Sequence, residues 1–205
     1  MYPNLFNSSP YQMATTMFKK NLFTIILLLG AFGAFAQTWK MDKAHSKLGF
    51  TVTHLLISEV DGSFKDYDVI MTSNNADLSD AVIELTANIN SIDTDNERRD
   101  SDLKGANWFD AATHPTLTFK STSIKKVADK KYSLTGNLTM HGVTKPVTMD
   151  MAILGTREHP RTKKPMAAIK VTGKINRVAF GVGSDNTATV GDEVEIRGVG
   201  EFTKD

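Results

Sequence analysis

Apolar and polar side chains alternate with a period of two along most of the chain beyond residue 36. Successive side chains of an extended strand point to opposite faces, so such a run reads as a strand with one buried face. Leu48, Phe50, Val52 and His54 share one parity against Gly49, Thr51 and Thr53. The same holds for Ile83, Leu85, Ala87 and Ile89, for Leu117 and Phe119, and for Tyr132, Leu134, Gly136, Leu138 and Met140. It recurs in Val147, Met149, Met151 and Ile153, then in Ala167, Ile169, Val171, Gly173 and Ile175, and last in Val194, Ile196, Gly198, Gly200 and Phe202. With the stretch Val60–Met71, the pattern predicts about eight strands. Turn residues separate them at Asn74-Asn75, Asp129-Lys130, His141-Gly142, His159-Pro160 and Gly191-Asp192. Asp95–Ala112 does not alternate. Its Leu103, Ala106, Trp108 and Phe109 predict a short helix or irregular cap, with Thr94 or Asp95 as N-cap.

About eight antiparallel strands with one helical excursion fit a sandwich or a closed barrel, and closure has the advantage of removing exposed edges. Glycines on the inward parity, Gly136, Gly173, Gly198 and Gly200, either bend their strands or leave room beside them. From the residues alone, the buried face reads as a packed core more readily than as the wall of a cavity.

The first 36 residues follow another pattern. They carry two charges, Lys19 and Lys20, followed by an apolar run that ends in Ala34-Phe35-Ala36. A short basic segment, an apolar segment and small residues at −3 and −1 predict a signal peptide over 1–36, cleaved after Ala36, with Met17 as an alternative start. The run is short for a membrane span and no cysteine follows it to carry a lipid, so no stable membrane anchor is expected. The domain is then 37–205, periplasmic or secreted. The chain has 24 Lys+Arg against 23 Asp+Glu, a balance that gives no electrostatic basis for binding nucleic acid. The absence of cysteine excludes disulfides, thiolate metal sites and a thiol nucleophile. His45, His54, His114, His141 and His159 show no local metal-ligand spacing, and no metal or other cofactor is expected. His45 and Ser46 are strand neighbours on opposite faces, which argues against a catalytic triad. His54 shares the inward parity and is expected as a buried, neutral, backbone-bonded histidine.

Several motifs, in order, span almost the entire domain. Trp39, Asp42, His45 and Ser46 precede Phe50, Val52, His54 and Leu55, and Gly62 and Phe64 follow. Next come Ser91-Ile92-Asp93-Thr94, Arg99-Asp100, Asp102-Leu103 and Trp108-Phe109-Asp110. Pro115, Leu117 and Phe119, the run Gly136–Val147 and Ile175-Asn176-Arg177 through Phe180-Gly181 complete the series. Together they resemble the YceI-like, polyisoprenoid-binding family of secreted bacterial proteins. Two positions depart from the family pattern. Asp102 stands where a histidine is frequent, and Trp108 replaces a usual Phe.

The resemblance implies an all-β fold, a lipocalin-like eight-stranded antiparallel barrel with a short helical insertion. It also implies a ligand inside it: a polyprenyl lipid, an isoprenoid quinone or a fatty amide. An isoprenoid or acyl chain offers no hydrogen bonds along its length, so the wall must be apolar and the rim must meet the head group. The expected wall is Leu48, Phe50, Val52, Phe64, Leu85, Ile89, Phe119, Leu138, Met140, Met149, Val171 and Phe180. The expected rim is Asp42, His45, Arg99, Asp100, Asn176 and Arg177, with Ser46 beside them. Arg99-Asp100 and Asn176-Arg177 fit equally a second role, pinning loops to the barrel ends by ion pairs. The chain is expected to be a carrier or sequestering protein rather than an enzyme, and the resemblance allows a homodimer. The alternatives are a hydrolase acting on a lipid head group through His45, Asp42 or Asp100, and a stress-response module with a filled core.

Overall fold

The computed structural model describes residues 37–205; the predicted signal peptide lies outside the described residues. The strands are β1 (Thr38–His54), β2 (Ser58–Phe64), β3 (Tyr67–Thr72), β4 (Val82–Asn88), β5 (Ile92–Asp93), β6 (Thr116–Ala128), β7 (Lys131–Met140), β8 (Val143–Glu158), β9 (Pro165–Asn176) and β10 (Val190–Lys204). One helix, α1 (Glu97–Lys104), lies between β5 and β6. Every pairing is antiparallel, and the order β1-β3-β4-β6-β7-β8-β9-β10 closes on itself through a β10–β1 seam. The eight-stranded barrel is therefore closed, as expected.

At the seam the two ends of the described chain meet. Trp39 pairs with Lys204, the Asp205 N–H donates to the Thr38 carbonyl at 2.9 Å, and Lys40 Nζ lies 2.9 Å from the Asp205 carboxylate. The first two expected strands depart from their expected boundaries. β1 begins ten residues before the alternation of Leu48 becomes visible, because its register shifts between Asp42 and Lys47. There Asp42 accepts from the Ala44 N–H through its carboxylate and from the Ser46 hydroxyl through its carbonyl, so the extra residues leave the ladder. The single strand expected over Val60–Met71 is two, β2 and β3, separated at Lys65-Asp66. β2 follows the second half of β1, while β3 pairs with its first residues.

One end of the barrel, called the upper end here, is plugged by the β3–β4 connection. Leu78 is fully buried, and the buried Ser73 hydroxyl donates to Asp80. Burial opposes the charge on Asp80, yet donation from Ser73 and from the Asn74 and Asn75 N–H groups holds its pKa below the ordinary carboxylate value. The Tyr132 hydroxyl donates to the Asp77 carbonyl at 2.6 Å, tying the plug to β7. The opposite, lower end is covered by the segment from β5 to β6 and by the β9–β10 connection. α1 begins at Asn96, whose side chain accepts from the Arg99 N–H at 3.0 Å. Thr94 and Asp95 are not the cap. The Thr94 hydroxyl is engaged with Asp100 and Arg99, and Asp95 sits at φ 58°.

Candidate functional site

The interior is not filled. Two apolar cavities follow one another along the barrel, of about 110 Å³ above and about 260 Å³ below. Phe64, Leu117, Ile175 and Ile196 border both, so the two are separated by side chains and not by backbone. The inward glycines explain part of the space. A Cβ on Gly198 would meet nothing closer than Val171 at 4.0 Å, so this glycine leaves open room. Gly136 and Gly173 serve differently. The Phe119 ring lies across Gly136, within 2.4 Å of where a Cβ would stand, and Met149 lies across Gly173 at 2.9 Å.

The upper cavity is lined almost wholly by hydrocarbon, including Leu48, Leu85, Phe119, Leu138, Met149 and Val171. Tyr67 also faces it, and its buried hydroxyl has no hydrogen-bond partner. Burial pushes its pKa up, so it is present as a neutral donor. The period-two reading missed Tyr67 because it opens a strand directly after the Lys65-Asp66 break, where parity cannot be carried across.

The lower cavity is lined by Phe50, Val52, Met140, Leu103, Trp108 and Phe109, and it brings in polar groups: Thr94, Arg99, Asp102, His54 and Arg177. Arg177 is 4% exposed and donates to the carbonyls of Gly191, Val182, Ser184 and Val190 at 2.7–2.8 Å. Its guanidinium lies 5.3 Å from the centre of the Trp108 ring, a cation–π contact for which an indole is better suited than the phenyl ring usual there. Burial lowers its pKa, and the negative charge of Asp192 opposes that shift. Arg99 donates Nε–H to the Thr94 hydroxyl at 2.8 Å and Nη2–H to the Thr94 carbonyl at 2.7 Å. These bonds engage one of its two terminal nitrogens, and no hydrogen bond among the described residues engages Nη1.

A YceI-like domain family matches residues 39–202, nearly all of the described chain. The chain belongs to the YceI-like family. Protein YceI of Salmonella newport (strain SL254) is 38% identical over 183 residues, spanning 87% of this chain and 94% of that protein. The crystal structure of Burkholderia cenocepacia BcnA superposes with a TM-score of 0.71 at 26% identity, covering 78% of this chain and 98% of that one. A polyisoprenoid binding domain from Saccharophagus degradans, implicated in plant cell wall breakdown, shares the fold at a TM-score of 0.59 and 16% identity, over 82% of this chain and 98% of that one.

Within this YceI-like barrel, Leu48, Phe50, Val52, Phe64, Leu85, Phe119, Leu138, Met140, Met149 and Val171 stand on the walls of one cavity or both. Ile89 and Phe180 do not. Both are buried in short 3₁₀ turns, Ile89 following β4 and Phe180 following β9, and they pack in the core outside the cavity linings. The rim residues divide in the same way. Arg99 and Arg177 face the lower cavity. Asp100 accepts from the Thr94 N–H and hydroxyl, and Asn176 bonds Asp192 and the Ala179 N–H. Loop pinning therefore occurs at both dipeptides, but through hydrogen bonds with at most one charged partner rather than through ion pairs.

Asp42 and His45 lie elsewhere, at the exposed β1 bulge next to Glu201. His45 Nδ1 is 2.8 Å from the Asp42 carboxylate, and this bond raises the His45 pKa and lowers that of Asp42. The Ser46 hydroxyl donates to the Asp42 carbonyl at 2.6 Å, away from the imidazole. His54 is half-buried and lines the lower cavity, where full burial was expected. Among the described residues no helix is long and apolar enough to cross a membrane.

Proposed function

We propose that this chain encloses one isoprenoid or related long-chain amphiphile and acts in the periplasm or outside the cell as a non-enzymatic carrier or sequestering protein. The observation that carries this reading is the pair of stacked apolar cavities inside a closed barrel, with unpaired donor capacity on Arg99 at the wider, lower one. The hydrocarbon tail occupies the upper cavity. The head group lies below, where a quinone or amide carbonyl, or a phosphate, accepts from Arg99. The binding described for the Saccharophagus degradans domain of the same fold supports the choice of ligand class.

Magnitudes support it too. Burial contributes about 0.8 kcal/mol per CH₂, so one five-carbon unit gives roughly 3–4 kcal/mol before ordering costs. An apolar cavity of roughly 150 Å³ holds a benzene ring. On that scale the two cavities take two to three isoprene units as they stand. A longer tail moves the neck residues Phe64, Leu117, Ile175 and Ile196 or extends out of the barrel. A filled core is disfavoured by the open space. A hydrolase is disfavoured because Asp42 and His45 sit on the exterior and Asp100 is committed to Thr94.

The test is gentle purification from a native host, followed by native mass spectrometry and organic extraction. Near-stoichiometric lipid with an isoprenoid or acyl chain is expected. A folded protein that is repeatedly empty and takes up no added isoprenoid would overturn the reading.

A further inference from the structure

Two residues of one turn and a third from a separate turn, all absent from both cavity linings, come together at the lower end of the barrel. His141 and Gly142 form the two-residue turn between β7 and β8, with φ of 52° and 75°. Asp110 and His114 belong to one closed turn before β6, in which the His114 N–H donates to the Asp110 carbonyl at 2.7 Å. The two imidazoles meet edge to face with centroids 5.0 Å apart. One donor atom from each of Asp110, His114 and His141 lies within 4.8 Å of the other two, and all three residues are half-buried. We propose that Asp110, His114 and His141 form a binding site for one divalent ion of the zinc class.

The donor set specifies the metal. Two imidazole nitrogens and one carboxylate oxygen suit Zn²⁺ and its late transition-metal neighbours, with a fourth position open to water. Ca²⁺ and Mg²⁺ require oxygen-rich shells. A tetrahedral ion with ligands about 2.1 Å away needs its donors roughly 3.4 Å apart, so the side chains close by at most about 1.4 Å. The surroundings leave room for the rings. A Cβ at Gly142 would stand 2.7 Å from His114 Cε1, and one at Gly181 would stand 3.2 Å from His141 Nδ1. No ion pair among the described residues involves any of the three side chains. Spacing rules overlook the site because its histidines come from different turns.

An ion held here would tie the β7–β8 turn to the segment that carries Trp108 and Phe109 over the lower cavity. The site does not depend on what the barrel encloses. The test uses the untagged chain, freed of metal with a chelator and titrated calorimetrically with zinc sulfate. One equivalent of Zn²⁺ is expected to bind with micromolar or tighter affinity, and Mg²⁺ and Ca²⁺ are expected not to bind. His114→Gln and His141→Asn, the latter keeping a residue that tolerates the left-handed turn, each weaken binding at least tenfold and remove the rise in Tm that Zn²⁺ gives the native chain. His45→Gln, at the exposed Asp42–His45–Glu201 group, leaves binding unchanged. The proposal falls if the folded native chain takes up no Zn²⁺ or if the His114 and His141 variants bind like the native chain. It falls equally if His45→Gln is the change that abolishes uptake.

Discussion

Arg177 shows how one side chain can organise an entire barrel end. Four carbonyls, two from the β9–β10 connection and two from the start of β10, converge on it, and every one of them would lose this donor in Arg177→Met. An unsatisfied buried carbonyl costs about 1–3 kcal/mol. The substitution is therefore expected to destabilise by at least ~3 kcal/mol, read as a lower urea midpoint with little change in slope. His45 gives a second residue-scale expectation. Its pKa is raised by the Asp42 carboxylate, so its share of the pair's stabilisation is complete below the ordinary imidazole pKa and is lost as pH rises through the folded value. The lowered pKa of Asp42 works the other way, with its share lost as pH falls through the folded carboxylate value. Both groups are exposed, so the effect on global stability is small. An NMR titration should place His45 above a free imidazole, and Asp42→Asn should bring it down toward the ordinary value, with Glu201 still opposing the full return.

At the scale of elements, the inward glycines make opposite predictions from one residue type. Gly136→Ala drives a Cβ to 2.6 Å from the Lys120 carbonyl oxygen, a backbone atom that cannot step aside. A loss of about 1–3 kcal/mol is expected from overpacking. Gly198→Ala meets open space, and thermal melting should place it within about 0.5 kcal/mol of the parent. The strands were legible because parity survives wherever a strand is regular and half-buried, as in β7 and β9. Two of the places where parity fails changed the reading of the first strands. One is the Asp42–Lys47 bulge, which hid ten residues of β1, and the other is the Lys65-Asp66 break. The lack of alternation over Asp95–Ala112 marked α1 correctly as an interruption but not its cap. Thr94 and Asn96 are both good capping residues, and only packing decides that Thr94 serves Arg99 and Asp100. Ile89 and Phe180 have the chemistry of wall residues, but their 3₁₀ turns direct them into the core.

For the molecule as a whole, closure and the cavities are long-range properties. Alternation left sandwich and barrel open, and the β10–β1 seam that distinguishes them joins residues separated by almost the full domain. A closed wall around open space makes stability depend on what fills it. Ligand at 100 times its dissociation constant adds about 2.7 kcal/mol. In a domain of this size that corresponds to about 5–10 °C in Tm. Delipidated protein should therefore melt lower than protein purified gently, and adding back an isoprenoid quinone should recover the difference.

The seam also means that strand order here is a ring with no intrinsic first member. Trp39 pairs with Lys204, and the Asp205 N–H already bonds the Thr38 carbonyl, so a two-residue Asn-Gly link between 205 and 38 would complete an ordinary hairpin. New termini opened in the exposed connection between β8 and β9, at residues 160–163, would break no barrel pairing. Such a circular permutant should keep the far-ultraviolet spectrum of the parent, because where the polypeptide is cut is not one of the things that hold this barrel shut.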